Sequence, residues 1–248
     1  MIATGMVMKT DQASCPWSGY EPASITFCEA DACAWIIQPA NTWSNLAFIV
    51  IGAWLIRLAL REGHPSLAAI GTIEVLVGIG SFFFHMSGTH IGEVVDVGAM
   101  YLLSGYVLVA NLARYRAHLG RPLSPLTCSV LFVALVLGSV VAIAVFKGQV
   151  GVVLFAIQAT LAGHLEIRMR RRFRDSVDYK PLVKFLVCFA IAWTFWWLDL
   201  LRIQCSPDNH WLQFHATWHL FNSVVFVFLY RFYAQLRETA GPKPQSPS

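Results

Sequence analysis

The chemistry this sequence can offer is concentrated in three imidazoles and two oxygen-bearing side chains. The run "HATWH" sets His215 and His219 at i and i+4, neighbours on one helical face, which lets both rings reach a single metal ion. A third imidazole, His85, closes "SFFFH", with Ser81 one turn before it and Asp96 eleven residues after it. All of these stand where long apolar runs meet polar connections, and ionisable groups are expensive in hydrocarbon, so they read as a functional site by default. "HATWH" has the outline of the H-E-x-x-H helix of zinc proteases, but Ala216 stands at the glutamate position, so another group must move protons. A lone histidine near a helix end is more often hydrogen-bonded or interfacial than a ligand; it is the set that argues for a metal.

Asp96 admits three roles: a second-sphere acceptor that orients a ligand histidine, a general base for a metal-activated water, or a helix cap. Asn222 falls on the face of His215 and His219 as a second-sphere partner. Glu74 precedes His85 by eleven residues, and at about 100° per residue it returns to within roughly 20° of the same direction, so one face of this helix is polar. Lying deeper in the bilayer, Glu74 is expected to be protonated or partnered inside the bundle. His90 is a competing ligand by type, although loop histidines more often face water.

The elements that must position these groups are membrane helices. Apolar residues make up 56% of the 248 and charged residues 13%, against roughly a quarter charged in soluble chains, and the mean hydropathy is +0.57. The apolar runs divide into seven candidate spans of roughly 20 residues, at about 41–61, 67–87, 93–113, 125–146, 149–168, 181–201 and 211–235. The fold class expected is all-α, an integral seven-transmembrane-helix bundle; alternating ten-residue segments of a barrel are absent. The net charge of +4 does not point to nucleic acid, because the basic residues are confined to one set of connections. Arg57 and Arg61, Arg114 to Arg121, Arg168 to Arg174, and Arg231, Arg237 and Lys243 follow alternate spans. The positive-inside rule makes those connections cytoplasmic and leaves the N-terminus and the three site clusters in the outer half.

Residues 1–40 form an N-terminal extracytoplasmic segment without the apolar core of a cleavable signal peptide. Within "FCEADACAWIIQP", Glu29 and Asp31, with Gln38 beyond, read either as a solvated surface loop or as an oxygen-ligand site for a hard cation such as calcium. Six cysteines are too scattered for a zinc ribbon, whereas Cys28 and Cys205 both fall outside, where disulfides persist. Spans 4 and 5 read as scaffold, with His164 and Glu166 serving packing and interfacial charge near the arginine-rich connection. Trp196 and Trp197 fit an interfacial aromatic belt, and Asp199 and Arg202 have the spacing of an i, i+3 pair. Residues 41–236 hold the seven helices and the site, and 237–248, ending "GPKPQSPS", read as a disordered cytoplasmic tail.

The ordered set "CEADACAWIIQPANTWSNL", "GIGSFFFHMS", Asp96 and "HATWH", spanning about Cys28 to His219, resembles the alkaline ceramidases and their bacterial relatives, within the seven-helix membrane hydrolases that include the adiponectin receptors. The resemblance implies zinc (Zn2+) on His85, His215 and His219, with Ser81 and Asp96 catalytic beside it. It also implies calcium (Ca2+) in the N-terminal segment, at Glu29 and Asp31, with Gln38 and Thr26 standing where the family has acids. Val97, Gly98 and Ala99 replace the family's frequent Glu-x-Pro pattern after the aspartate. A disulfide joining the N-terminal segment to the 6–7 connection is similar to what Cys28 and Cys205 permit. The activity implied is zinc-dependent cleavage of the amide of ceramide or a related lipid, in a bacterial inner membrane. The rivals are a receptor-like or lipid-sensing protein with structural zinc and a haem-binding electron carrier.

Overall fold

The computed structural model describes residues 15–147, 150–173 and 177–238. A short helix α1 (Pro39–Ser44) runs on into α2 (Leu46–Arg61), and α3 (Ala68–Ser87), α4 (His90–His118), α5 (Pro125–Phe146), α6 (Val150–Phe173), α7 (Lys180–Leu200) and α8 (Phe214–Glu238) follow. Among the described residues there is no strand, only an isolated bridge between Pro22 and Thr89. The result is a multi-pass membrane bundle of helices, as the apolar runs dictate.

Six spans are long and apolar enough to cross a membrane, counting α1 and α2 as one. Helix α8 matches them in length, with 25 residues, but His215, His219, Asn222 and Arg231 dilute its hydropathy. The price of carrying the site is a weaker membrane signal. Expected and observed spans agree to within a few residues, and α4 runs on as far as His118. Helix α8 reaches Glu238, so it takes the first two residues assigned to the tail; residues 239–248 lie outside the described residues, as does Arg174.

Helix ends are set by local chemistry. Ser124 accepts from Thr127 N ahead of α5, with Pro125 in the first turn, where its missing N–H costs nothing. Gly88, at φ 61°, closes α3 in the left-handed conformation, and Thr89 caps α4 by accepting from Gly92 N at 3.2 Å. The turn between α3 and α4 is therefore only two residues long, which forces the helices antiparallel and side by side.

Helices α2, α3 and α4 pack in sequence, α4 carries α5 and α6, and α8 closes against α2 and α3 with α7 on its outer side. One apolar core, including Phe48, Leu55, Ile70, Phe226 and Tyr230, fills the junction of α2, α3 and α8. A smaller one, of Phe27, Phe84, Ala192, Trp196 and Trp218, lies under the site. Trp196 is thus inside the bundle, only 7% exposed, whereas Trp197 is 39% exposed; the aromatic belt receives one of the two tryptophans. Elsewhere α5 and α7 turn Leu126, Val141, Leu186 and similar side chains outward, as lipid contact requires.

At the basic end, Glu166 is buried and not interfacial: it accepts from Arg114 at 2.7 Å and from the Tyr179 hydroxyl at 3.0 Å. Arg114 enters the bundle from α4 with Glu166 as its counter-charge, which the linear pattern did not reveal. His164 is exposed. At the opposite end Cys28 joins Cys205, 177 residues away, and Cys15 joins Cys33; the second bridge was not anticipated.

Helices α2 and α3 approach closest at paired glycines. A Cβ on Gly71 would lie 2.5 Å from the Gly52 carbonyl oxygen, a distance that only separation of the two backbones relieves. Gly71→Val is expected to cost about 1–3 kcal/mol by overpacking, read as a lowered Tm of the protein in detergent; an unchanged Tm would show that this contact does not fix the helix spacing.

Candidate metal centre

The site forms where the last turn of α3 meets the first turns of α8, and both turns are tied down. Asp199, near the end of α7, accepts from His215 N at 2.9 Å and from Cys28 N at 2.7 Å, capping α8 while holding the N-terminal segment. Arg202, one turn on, lies within electrostatic reach of Asp199, and its guanidinium also reaches the Phe27 carbonyl at 3.5 Å. Phe27 in turn lies over the His215 ring, with centroids 3.7 Å apart.

His85, His215 and His219 come together with one ligand atom each, all within 4.8 Å of one another, and are the only cluster of three His, Cys, Asp or Glu donors among the described residues. The outer nitrogens fix the inner ones. His85 Nδ1 lies 2.8 Å from Gln38 Oε1, and Gln38 Nε2 donates to Asp31 Oδ1 at 2.8 Å. A carboxylate only accepts, so the amide is oriented and its oxygen receives the Nδ1 proton of His85. Ser44 Oγ donates to the Asn41 carbonyl, so it accepts from His219 Nδ1 at 2.7 Å.

Both rings consequently present Nε2 lone pairs inward. His215 Nε2 sits 3.1 Å from His85 Nε2, and its own Nδ1 is buried without a hydrogen-bond partner. The rings are at most 3% exposed. Converging lone pairs in a dry site repel unless a cation lies among them. Tetrahedral nitrogen ligands at about 2.0–2.1 Å from zinc stand roughly 3.3 Å apart; the His85–His215 pair is near that separation, and the three imidazoles together are a donor set suited by chemistry to a metal ion of this kind.

Ser81 and Asp96 flank the imidazoles. Gly80 permits this, because a Cβ there would lie 3.1 Å from the Val95 carbonyl and 3.3 Å from Asp96 Cα; its absence lets α4 press against α3. Ser81 Oγ lies 3.4 Å from His219 Nε2, and Asp96 is its neighbour on the wall of the adjacent cavity. The cap of α4 is Thr89, and the Nδ1 partners of His85 and His219 are Gln38 and Ser44. Two of the three roles open to Asp96 are therefore filled by other residues.

Asn222 partners neither of those nitrogens and lies on the wall of the adjacent cavity. That cavity, of about 110 Å³, also receives Ser81, Asp96, His215 and His219, with aromatic and aliphatic side chains from α4 to α8 making most of the remaining wall. His90 stands at its polar margin facing Glu93 at 3.3 Å. Glu74 is fully buried, and neither carboxyl oxygen has a hydrogen-bond partner; of the two expectations for it, a partner is not found among the described residues and protonation is the one that stands.

Glu29 and Gln38 are drawn into the same end of the bundle. Glu29 accepts from Ala40 N and Asn41 N, both at 2.9 Å, capping α1. Gln38 and Ser44 are the residues that sequence reasoning missed as partners of the imidazoles, and no spacing rule joins positions 47 or 175 residues apart.

Comparison with known proteins adds a family. The family model described as Ceramidase matches residues 19–246. Alkaline ceramidase 1 of Homo sapiens is 22% identical over 217 residues, covering 84% of this chain and 80% of that protein. Alkaline ceramidase 1 of Mus musculus is 23% identical, over 84% and 77%, and the alkaline ceramidase of Drosophila melanogaster is 23% identical, over 83% and 75%.

Because Ser44 touches the ion site only through the His219 ring, Ser44→Ala is expected to weaken metal affinity about 10–100-fold while the fold persists. Chelator competition followed by metal analysis checks this, and unaltered affinity would mean that the serine does not orient the ring.

Proposed function

The chain belongs to the ceramidase family, and on that premise we propose that it is a zinc-dependent membrane amidohydrolase. Its substrate is ceramide or a related N-acyl lipid, and its products are a fatty acid and a sphingoid-type base. The observation that carries this reading is the meeting of three inward-facing imidazole nitrogens with the Ser81 and Asp96 pair on the wall of a largely apolar cavity.

Zinc held by His85, His215 and His219 would supply Lewis acidity, activating water near neutral pH and polarising the acyl carbonyl. Asp96 takes the proton of the attacking water at a carboxylate oxygen and delivers it to the departing amide nitrogen, so that the C–N bond breaks as the C–O bond forms. Ser81 holds that carboxylate in the ground state, and its hydroxyl turns to the acyl oxygen as negative charge develops there. Phe155 of α6 and Phe189 and Trp193 of α7 offer the apolar wall along which an acyl chain lies. Helix α7 packs almost entirely on α8, which favours entry of a lipid from the side.

The two disulfides occur at the site's end of the bundle and most of the described arginines at the other, Arg202 being the exception, an arrangement that supports an extracytoplasmic site and a cytoplasmic C-terminus. A receptor-like role with structural zinc is the weaker reading, because structural sites are closed by four protein ligands and here three gather beside a carboxylate.

The test is purified protein incubated with a panel of N-acyl and O-acyl lipids, with fatty acid release and metal content measured together. Wild-type protein is expected to cleave the amides. Asp96→Asn should lose about 10²–10⁴-fold in kcat with metal retained, and His85→Ala should lose metal and activity. Full activity of Asp96→Asn, or cleavage confined to O-acyl lipids, would sink the proposal.

A further inference from the structure

We infer that the N-terminal segment is braced against the metal centre by protein N–H donors in place of a second, divalent cation, with Gln38 as the positioning residue for His85. The inference rests on the proposed function only in taking His85 as a metal ligand. The family resemblance implies calcium among Glu29, Asp31 and position 38, and the donor set can be tested against that ion. A calcium ion takes about six to eight oxygens, and its affinity follows the number of charged ones.

Here most of the charged oxygens already have N–H partners, although Asn41 Oδ1 is buried without one. Both oxygens of Glu29 accept backbone N–H groups of α1, and its Oε1 also meets His210 Nδ1 at 2.9 Å. One Asp31 oxygen accepts from Gln38 Nε2. Gln38 Oε1 receives His85 Nδ1 and, at 3.3 Å, Asn41 Nδ2. Thr26, at a position where the family has an acid, is exposed.

The amide at position 38 makes the difference. A glutamate there would set a second carboxylate against Asp31, and two like charges at that range need a cation between them. The amide presents N–H to Asp31 and C=O to His85, so it spans the same gap with neither excess charge nor unsatisfied donor. His210 does the equivalent for Glu29 from the α7–α8 connection. That connection is fastened to the same segment by the Cys28–Cys205 bridge and by Ala30 N donating to the Pro207 carbonyl at 3.0 Å. The brace ends on the imidazole of His85, so the position of the segment sets the direction of its Nε2.

The experiment needs no lipid, and its failure is therefore separable from failure of the hydrolase reading. Purified wild-type protein is dialysed to equilibrium against calcium chloride, and bound calcium and Tm are measured beside the same quantities for Gln38→Glu and Gln38→Ala. Wild type is expected to take up no stoichiometric calcium and to keep its Tm. Gln38→Glu should bind calcium and melt higher in its presence. Gln38→Ala should lose about 10–100-fold in affinity for the metal of the imidazole site, measured by chelator competition, and Gln38→Glu with calcium should restore it. Stoichiometric calcium on wild type with a raised Tm overturns the inference. So does a Gln38→Glu protein indifferent to calcium, or a Gln38→Ala protein with unaltered metal affinity.

Discussion

Two buried imidazoles that donate outward from Nδ1 are the constraint on which this molecule is organised. A histidine ring surrendering its one proton to an outer acceptor has only a lone pair to show on its other side, and His85 and His219 do so through Gln38 and Ser44. In a site closed to water the repulsion of such lone pairs is not screened. The fold must hold them together at a cost that a metal ion offsets, so the outer acceptors matter as much as the ligands.

Holding them requires α3, α4 and α8 to agree at one end. Small residues allow the close approaches, Gly80 where α4 meets α3 and Gly52 with Gly71 where α2 does. The two-residue turn at Gly88 and Thr89 removes the freedom of α4 to slide. At the opposite end Arg114, Glu166 and Tyr179 join α4, α6 and the entry to α7. Between these fastened ends lies the apolar cavity, and the polar groups of the site occupy one wall of it. This division of labour suits a membrane protein: apolar side chains face the lipid, and most buried polar groups are partnered, with Glu74, His215 Nδ1, Arg116 Nε and the side-chain oxygens of Asn41, Thr42 and Asn45 as exceptions among the described residues.

The meeting of three imidazoles was legible in the sequence because two of them share a helix face and the third pairs with a serine by the same period. The spans were legible because hydrocarbon selects long apolar runs. Asp96 was visible as a residue with three roles open to it; the capping by Thr89 and the outward bonds of His85 and His219 to Gln38 and Ser44 assign two of those roles to other residues. What could not be read were contacts whose partners are set by packing. Asp199 looked like half of a pair with Arg202 and in addition caps α8, because its position at the end of α7 brings two backbone N–H groups to it. Glu166 looked interfacial because the arginines around it in sequence are exposed, while the one that meets it comes from α4. Cys15 with Cys33 left no signal apart from both being cysteines. In the N-terminal segment, Glu29 and Asp31 read either as a solvated loop or as a hard-cation site; Glu29 is buried and accepts from backbone N–H groups of α1, contacts that no spacing in the sequence displays.

Asp199 and the Cys28–Cys205 bridge fasten the same short stretch by independent means, one covalent and one through backbone N–H groups. The start of α8 is therefore stitched twice, whereas α5, packed on α4 and α6, turns most of its surface outward to lipid. On warming, such a molecule softens from its lipid-facing rim inward, and the imidazoles are among the last groups to lose their register.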